Sequence, residues 1–483
     1  MDTHQDLIVS MQRHVKVAII GAGSAGLSAL RQVKKTTDDF VLIDQGPLGT
    51  TCARVGCMPS KALIHVARDF YGRRLFAASG ITGAERLACD IPAVLRHVRG
   101  LRDRFTEGMV QAIRTQAGDR LLVGQAKLLD VHHIQVGDQI IEADHIVIAV
   151  GAKPDVPPAW RRFGDRILTY ESLFEQEALP SRMAVIGLGP VGLELGQALS
   201  RLGIEMTGFS SSTSLGGLSD PEVNAVMRKA IAAEFPIHLE APAEVEPDGD
   251  ALVVRSGRTT VTVGRLLVAV GSSPKLEGLW VERLGVALDE QGLPACDTRT
   301  SQVGNLPVYM AGDVTGCRPV LHEALDEGYI AGLNVLADVA ESYCRRPPLR
   351  IVFSAPQLAV VGRSFAQLHN TDIVIGGVGF EDESRAVIEG TNRGLLRIYV
   401  DPASGLLLGA EAACPSAEHL GHVLALAIQQ RMTVSDLLQM PFYHPTAEEA
   451  LRAALLDAAQ KLRVGSGSSV PALCGCCPEP PLC

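Results

Sequence analysis

Short apolar runs alternate with helix-like stretches along most of the chain. Val15 to Ile20 reads as a strand, followed by a glycine-rich turn, a helical stretch from Leu27 to about Lys35, and a second strand at Val41-Leu42-Ile43. The same rhythm returns at Met183 to Ile186, with a helix from Leu193 to Leu202 and a strand from Ile204 to Phe209. Between these units, Leu101 to Ala117 reads as a helix stopped by Gly118, and alternating strands lead to Asp144. Ile146 to Val150 is an apolar strand ending in the small-residue turn Gly151-Ala152. Leu266 to Gly271 and Val308 to Met310 repeat the strand-then-turn pattern, and Leu321 to Leu336 is helical. Strands that alternate with helices predict an α/β chain with parallel sheets.

From Leu349 the character changes. Ile351-Val352-Phe353 and Leu358 to Gly362 read as strands, and Leu395 to Val400 with Leu406 to Ala413 read as an antiparallel pair around the turn Asp401 to Gly405. Helices are expected at Glu418 to Gln430 and Ala447 to Arg463. At 483 residues the chain exceeds one hydrophobic core and should divide into about three domains. A net charge of -10 argues against a nucleic-acid partner, since a phosphate backbone demands a basic face. No apolar run reaches the ~18 residues of a membrane span, and Met1 to Lys16 has no apolar core of a signal peptide. A cytoplasmic address is expected, where the eleven cysteines are mostly reduced and a disulfide is catalytic rather than structural.

Two of the turns carry chemistry. Gly21-Ala22-Gly23-Ser24-Ala25-Gly26 sits between strand and helix: Gly21 makes the tight turn, Gly23 admits a pyrophosphate, and Gly26 lets helix and strand pack. The following strand ends in Asp44, where an acid hydrogen-bonds a ribose hydroxyl. Gly187, Gly189 and Gly192 repeat the fingerprint, but Ser210 stands where Asp44 stands in the first unit. Two such sites imply two nucleotides; with the cysteine pair Cys52 and Cys57 between them in sequence, the economical reading is FAD at the first and a nicotinamide at the second, NAD rather than NADP, with Ser210 leaving NADP open.

Between the fingerprints lie Cys52 and Cys57, followed by Pro59-Ser60-Lys61 and a helical run to Ala67. Two thiols on one helix turn can close into a disulfide and be reopened by two electrons. A helix N-terminus lowers a thiol pKa, which favours a catalytic pair over a structural staple. Near the end of the chain, His444 precedes Glu449 by five positions, and that carboxylate could orient the imidazole as a general acid/base. After Arg463, Gly465 to Ser469 reads as a flexible linker to a tail holding Cys474, Cys476, Cys477 and Cys483. No metal-ligand set is assigned elsewhere.

In this order, the two fingerprints, Cys52 and Cys57, Glu194, Ala311-Gly312-Asp313 and His444-Pro445-Thr446 with Glu449 resemble the class I flavoprotein disulfide reductases over about residues 15 to 463. The stretches Gly192 to Leu199 and Met440 to Pro445 are most similar to bacterial dihydrolipoyl dehydrogenases. The resemblance implies two Rossmann-like domains, for FAD and NAD(P), with an α+β dimerisation domain. The segments are 1–151 and 272–348 for FAD, 152–271 for NAD(P), 349–463 for dimerisation, and 464–483 for the tail. It further implies that Cys57 is the thiolate beside the flavin that forms the charge-transfer complex, and that Cys52 exchanges with substrate. Lys61 would sit near the flavin paired with Glu194, Asp313 would bind the ribityl chain, and Gly151 and Gly271 would flank the coenzyme domain. His444, oriented by Glu449, would serve the other subunit of an obligate homodimer.

The implied activity is electron transfer between a nicotinamide and a small dithiol such as dihydrolipoamide, free or carried on a lipoyl-bearing protein. Mercuric reductases and high-molecular-weight thioredoxin reductases are the alternative, because Cys476-Cys477 resembles their C-terminal pairs. A third reading makes the tail a soft-metal-binding module on a reductase core. The chain departs from the family at Thr50, where a glycine is usual, at Ser210, and at Ser272-Ser273, where an arginine-containing pair is usual.

Overall fold

A computed structural model describes residues 12–466 of the chain. The strand Gln12–Ile20 lies at the centre of the first sheet, parallel to Phe40–Asp44 on one side and to Gln139–Ile148 on the other. Leu121–Val123 extends the sheet past Phe40–Asp44, and Val308–Met310 pairs parallel with Gln139–Ile148. The antiparallel strands His133–Val136 and Ala126–Leu128 complete it. Val17, Ile19, Leu42 and Val147 have no solvent exposure, as expected of a parallel sheet covered on both faces. That is why these strands read as unbroken apolar runs.

The second sheet repeats the plan. Arg182–Ile186 lies between Glu205–Phe209 and Arg265–Val268, with Ile237–His238 and Ile167–Leu168 at the edges, all parallel. A three-stranded antiparallel sheet, Glu244–Asp248, Ala251–Ser256 and Thr259–Val263, is added where the sequence pattern assigned no strands. The third sheet is wholly antiparallel, in the order Leu349–Val352, Gln357–Gly362, Leu407–Cys414, Leu395–Val400, Val374–Gly379. The expected pair is present with Leu395 opposite Ala413, and Asp401 accepts the Ser404 amide across the turn (2.9 Å). Helices Ala417–Gln429 and Glu448–Ser466 pack on this sheet through one apolar cluster that includes Leu420, Leu424, Leu451 and Leu455.

Several boundaries differ from the sequence reading. The helix expected at Leu101 begins ten residues earlier, at Ile91, capped by Asp90, which accepts the Ala93 amide. Pro92 at its second position is tolerated, because first-turn N–H groups have no intrahelical partner. The helices after the two fingerprints begin at Ser24 and Pro190, inside the glycine motifs themselves. The final helix runs to Ser466, into the first residues of the expected linker. The tail thiols Cys474, Cys476, Cys477 and Cys483 lie outside the described residues.

Candidate active site

The two glycine fingerprints open on one cavity of about 1410 Å³, larger than the ~300–1,000 Å³ of an ordinary ligand pocket. Each turn follows the carboxyl end of a central parallel strand, the usual place for a nucleotide. Gly21 has φ +109°, and a Cβ there would lie 2.3 Å from the Ala149 carbonyl oxygen; one on Gly26 would lie 1.9 Å from that of Gly21. The protein's own packing therefore demands glycine at both positions. At Gly189 an added Cβ would meet nothing within 4 Å, and at Gly23 only the Ala149 oxygen at 3.9 Å. Those two faces are bare toward the cavity, which fits backbone that must let a pyrophosphate approach.

Asp44 accepts the Ala22 amide through Oδ2 (2.7 Å) and the Gly46 amide through Oδ1 (2.7 Å). The acid thus shapes the glycine turn as well as facing the cavity, with lone pairs left for a ribose hydroxyl. In the second unit, Ser210 is buried and its hydroxyl accepts the Ser212 amide (3.1 Å). The cavity wall there is a row of serines, with neither carboxylate nor cation from this loop. Gly151 and Gly271 mark two adjacent passages of the chain: Ser272–Pro274 pairs antiparallel with Ala152–Pro154, and the Asp155 amide donates to the Gly271 carbonyl (3.0 Å). Ser273 donates its hydroxyl to Asp155, so it contributes to the crossing between the two glycine-fingerprint units.

Cys52 and Cys57 both line the cavity, but they do not share one helix turn as the sequence spacing suggested. Cys52 is in the short helix Thr51–Arg54, and a new helix, Cys57–Gly72, begins after a break at Val55 and Gly56. The break arises because the Gly56 and Val55 amides both turn back to the Thr51 carbonyl, while Pro59 is compatible only with the first turn of a helix. The consequence is chemical: Cys57 becomes the first residue of a 16-residue helix, where free N–H groups favour a thiolate. The Cys52 thiol donates to Cys57, and with the nearby Lys61 charge this holds the Cys57 thiol down to about 7 against its burial. Cys52 moves the opposite way, pushed well above the usual thiol range by that same hydrogen bond and then by burial. Thr50, just before, has φ +55° and caps the short helix by accepting the Ala53 amide (3.2 Å). A β-branched residue is strained in that region, which accounts for glycine being usual there.

Lys61 and Glu194 meet at 2.8 Å, joining the Cys57 helix to the helix Pro190–Arg201 of the second unit. Glu194 is 6% exposed, and its other oxygen accepts the Phe353 amide (2.8 Å). The Lys61 ammonium lies 4.7 Å from the Phe353 ring centroid. Asp313 faces the cavity from the end of the strand Val308–Met310; burial raises its carboxyl above the usual range, with the Lys275 charge opposing. Lys275, which lines the cavity, and Phe353 have no signature in the sequence, since neither belongs to a glycine or cysteine motif.

His444 is not brought to the cysteines of its own chain. Its ring Nδ1 is 2.9 Å from Glu449 Oε2, and its side chain is 70% exposed on the surface of the third-sheet region. The imidazole is oriented and open to whatever docks there.

Residues 15–328 match the family profile described as pyridine nucleotide-disulphide oxidoreductase, and residues 349–455 match its dimerisation domain. The chain belongs to this family. Pyridine nucleotide-disulphide oxidoreductases depend on FAD and NAD(P), so this chain is a flavoprotein oxidoreductase acting on sulfur groups. The mercuric reductase of Acidithiobacillus ferrooxidans is 30% identical over 456 residues, covering 92% of this chain and 82% of that protein. The dihydrolipoyl dehydrogenase of Thermus scotoductus is 30% identical over 457 residues, covering 92% and 96%. Among solved structures, LpdA of Mycobacterium tuberculosis superposes with a TM-score of 0.81 at 24% identity, covering 92% of this chain and 99% of that one. The Cu(II) complex of the HOCl-induced flavoprotein disulfide reductase RclA of Escherichia coli gives 0.79 at 22%, covering 92% and 99%. These two structural likenesses are likenesses of fold. Among the described residues of this oxidoreductase, no helix is long and apolar enough to cross a membrane.

Proposed function

We propose that this oxidoreductase acts as a dihydrolipoyl dehydrogenase, a homodimer in the cytoplasm that moves electron pairs between a nicotinamide and a small dithiol. The observation that carries the reading is the single cavity into which both nucleotide turns and the Cys52–Cys57 pair open. The bare faces at Gly23 and Gly189 suit the pyrophosphates of FAD and nicotinamide, Asp44 the FAD ribose, and Asp313 the ribityl chain. FAD, when bound, supplies the two-electron relay between the coenzyme and the disulfide. The division at residues 151, 271, 348 and 463 follows the same assignment.

The thiol chemistry belongs to the protein. A substrate thiolate attacks Cys52 Sγ of the Cys52–Cys57 disulfide; the new bond joins substrate sulfur to Cys52, and Cys57 leaves as a thiolate. The substrate's second thiol then attacks its own disulfide-bonded sulfur, closing the substrate ring and releasing Cys52. His444 of the partner subunit accepts the proton of the first attacking thiol and returns it to Cys52, the second thiol gives its proton to solvent, and Glu449 fixes which ring nitrogen stays protonated. The helix N-terminus and Lys61 stabilise the leaving thiolate of Cys57.

The test is a panel of steady-state rates with NADH and NADPH against lipoamide, Hg(II) and a bulky protein disulfide. Lipoamide turnover that does not exceed the other substrates would reject the dihydrolipoyl dehydrogenase reading. A second reading is favoured by relatedness, since mercuric reductases match at the same 30–31% identity. In that reading Cys476 and Cys477 deliver Hg(II), with Cys474 and Cys483 as further soft ligands. Truncation after Ser466 is expected to leave FAD content and lipoamide rates unchanged, and to lower Hg(II) turnover if the tail delivers it. Equal Hg(II) rates in both forms would exclude the delivery role.

Coenzyme choice follows from Ser210. Without a carboxylate it forgoes the bidentate ribose contact, and without a cation it offers no charge partner to a 2′-phosphate. NADH is expected to be preferred, by less than in enzymes with an acid at this position. Ser210→Glu should sharpen the preference for NADH by roughly ten-fold, the worth of one charged hydrogen bond. A variant that gains affinity for NADPH would reject the assignment of Ser210 to the ribose.

A further inference from the structure

The helix Pro190–Arg201 presents Glu194, Gln197 and Arg201 at spacings of three and four, so all three lie on one face. Glu194 binds the Phe353 amide and Lys61. One turn on, Gln197 is 3% exposed and meets the backbone of Ala355 twice: its Nε2 donates to the Ala355 carbonyl (2.8 Å), and its Oε1 accepts the Ala355 amide (2.8 Å). The side-chain amide thus pairs with Ala355 much as a neighbouring strand would. Behind it, Gln197 Nε2 also lies 3.1 Å from Glu234 Oε1, and Glu234 is held by Arg201 through two bonds of 2.7 Å. Both partners of that ion pair are nearly buried, with side chains 9% and 2% exposed. Arg201 in turn lies over the Tyr71 ring of the Cys57 helix, 4.3 Å from its centroid.

The clamped segment is the hairpin connection between Leu349–Val352 and Gln357–Gly362, the first two strands of the third sheet. It carries Phe353, whose amide satisfies Glu194 and whose ring supports the Lys61 ammonium. Only one residue, Ser354, separates Phe353 from Ala355, so a bidentate hold on Ala355 sets where Phe353 can lie.

We propose that Gln197 is a positioning residue for the redox pair: it locks the Phe353–Ala355 hairpin in the place that keeps Glu194 and Lys61 beside Cys57. The proposal rests on the reading of Cys57 as the thiolate of the pair. It adds a route by which the third sheet, which carries the matched dimerisation domain, bears on the thiol chemistry. The groups that face Cys57 and set its proton affinity are Cys52, Lys61 and Glu194. Gln197 touches none of the sulfurs, so it acts only through the hairpin.

The test is the pH dependence of Cys57 alkylation by iodoacetamide in the reduced full-length holoenzyme, read on the Cys57 peptide by mass spectrometry. Three forms are compared: Gln197→Met, Lys61→Ala and the double variant. Lys61→Ala should move the alkylation midpoint up by about one pH unit, as expected for loss of a neighbouring cation. Gln197→Met should move it up by about half a unit, a roughly three-fold fall in the thiolate-to-thiol ratio below the midpoint. In the double variant Gln197→Met should add nothing, because the route runs through Lys61. If Gln197→Met does not accumulate as folded protein, Gln197→Asn replaces it, since the shorter amide cannot reach both Ala355 groups. An unmoved midpoint in the Gln197 variant with a moved one in Lys61→Ala overturns the proposal alone. An additive double variant overturns it as well. No movement in Lys61→Ala overturns the proposal together with the assignment of Lys61 to Cys57.

Discussion

Replacing Cys57 with serine is expected to lower dithiol turnover by ~10³-fold or more, the scale on which loss of a nucleophile or leaving group is felt. A serine alkoxide cannot be the leaving group of an exchange that needs a sulfur–sulfur bond, so the disulfide cannot form at all. The same substitution should abolish the group that titrates at about 7 in the reduced enzyme. The sign of the wild-type profile is fixed by the direction of that shift. A thiol held below its ordinary value is a thiolate above about pH 7 and becomes protonated as the pH falls through 7. The cysteine-dependent half of the reaction should therefore fade on the acid side. Cys52→Ala, which removes the donor to Cys57, should raise the same titration toward the ordinary thiol range. FAD should remain bound in both variants, because neither sulfur takes part in the glycine turns. A Cys57→Ser enzyme that keeps its lipoamide rate would remove Cys57 from the chemistry, and one that loses FAD would show a structural role instead.

His444→Ala is expected to slow dithiol exchange by ~10²-fold or more while sparing electron entry from the nicotinamide, since a general acid/base acts only on the step that moves its proton. Glu449→Gln should show a milder version, because the amide still reaches the imidazole at a position now 2.9 Å from the carboxylate. Rapid-mixing rates of the two half-reactions separate these effects; equal slowing of both, or of neither, would remove His444 from the role. Its exposure and its absence from the cavity of its own chain lead to a further expectation. If the partner's cysteines are its target, inactive Cys52→Ser and slowed His444→Ala homodimers, mixed and allowed to exchange subunits, should regain activity well above that of either alone. Each mixed dimer then holds one site with both groups intact. No recovery, with exchange verified, would place the histidine's work within its own subunit.

How much of this was legible in the sequence varies by kind of feature. The glycine fingerprints were readable, because local backbone geometry dictates them: Gly21 and Gly26 are fixed by clashes with atoms of their own turn and the adjacent strand. The apolar runs of the parallel strands were readable because burial on both faces removes every polar position. The antiparallel pair Leu395–Val400 with Leu407–Cys414 was readable from its turn. The sheet at Glu244–Ser256–Val263 was not, since half its residues face solvent and its alternation is broken by Pro247 and charged side chains.

Tertiary structure alone decided what surrounds the thiols. Residue spacing put Cys52 and Cys57 near one another, but only the folded backbone broke the helix at Gly56 and gave Cys57 the free N-terminus that distinguishes it from Cys52. Lys61 and Glu194 are 133 positions apart, and Phe353 lies 159 beyond Glu194. Contacts at that separation have no local signature, because no propensity or period couples residues on different elements. The glycine turns, the closeness of the two cysteines and the order of the sheets could be read from residue order, because all of them depend on short-range sterics and periodic burial. The charge environment that makes one thiol differ from the other arises only when three sheets pack together, because its charges come from elements far apart in the chain.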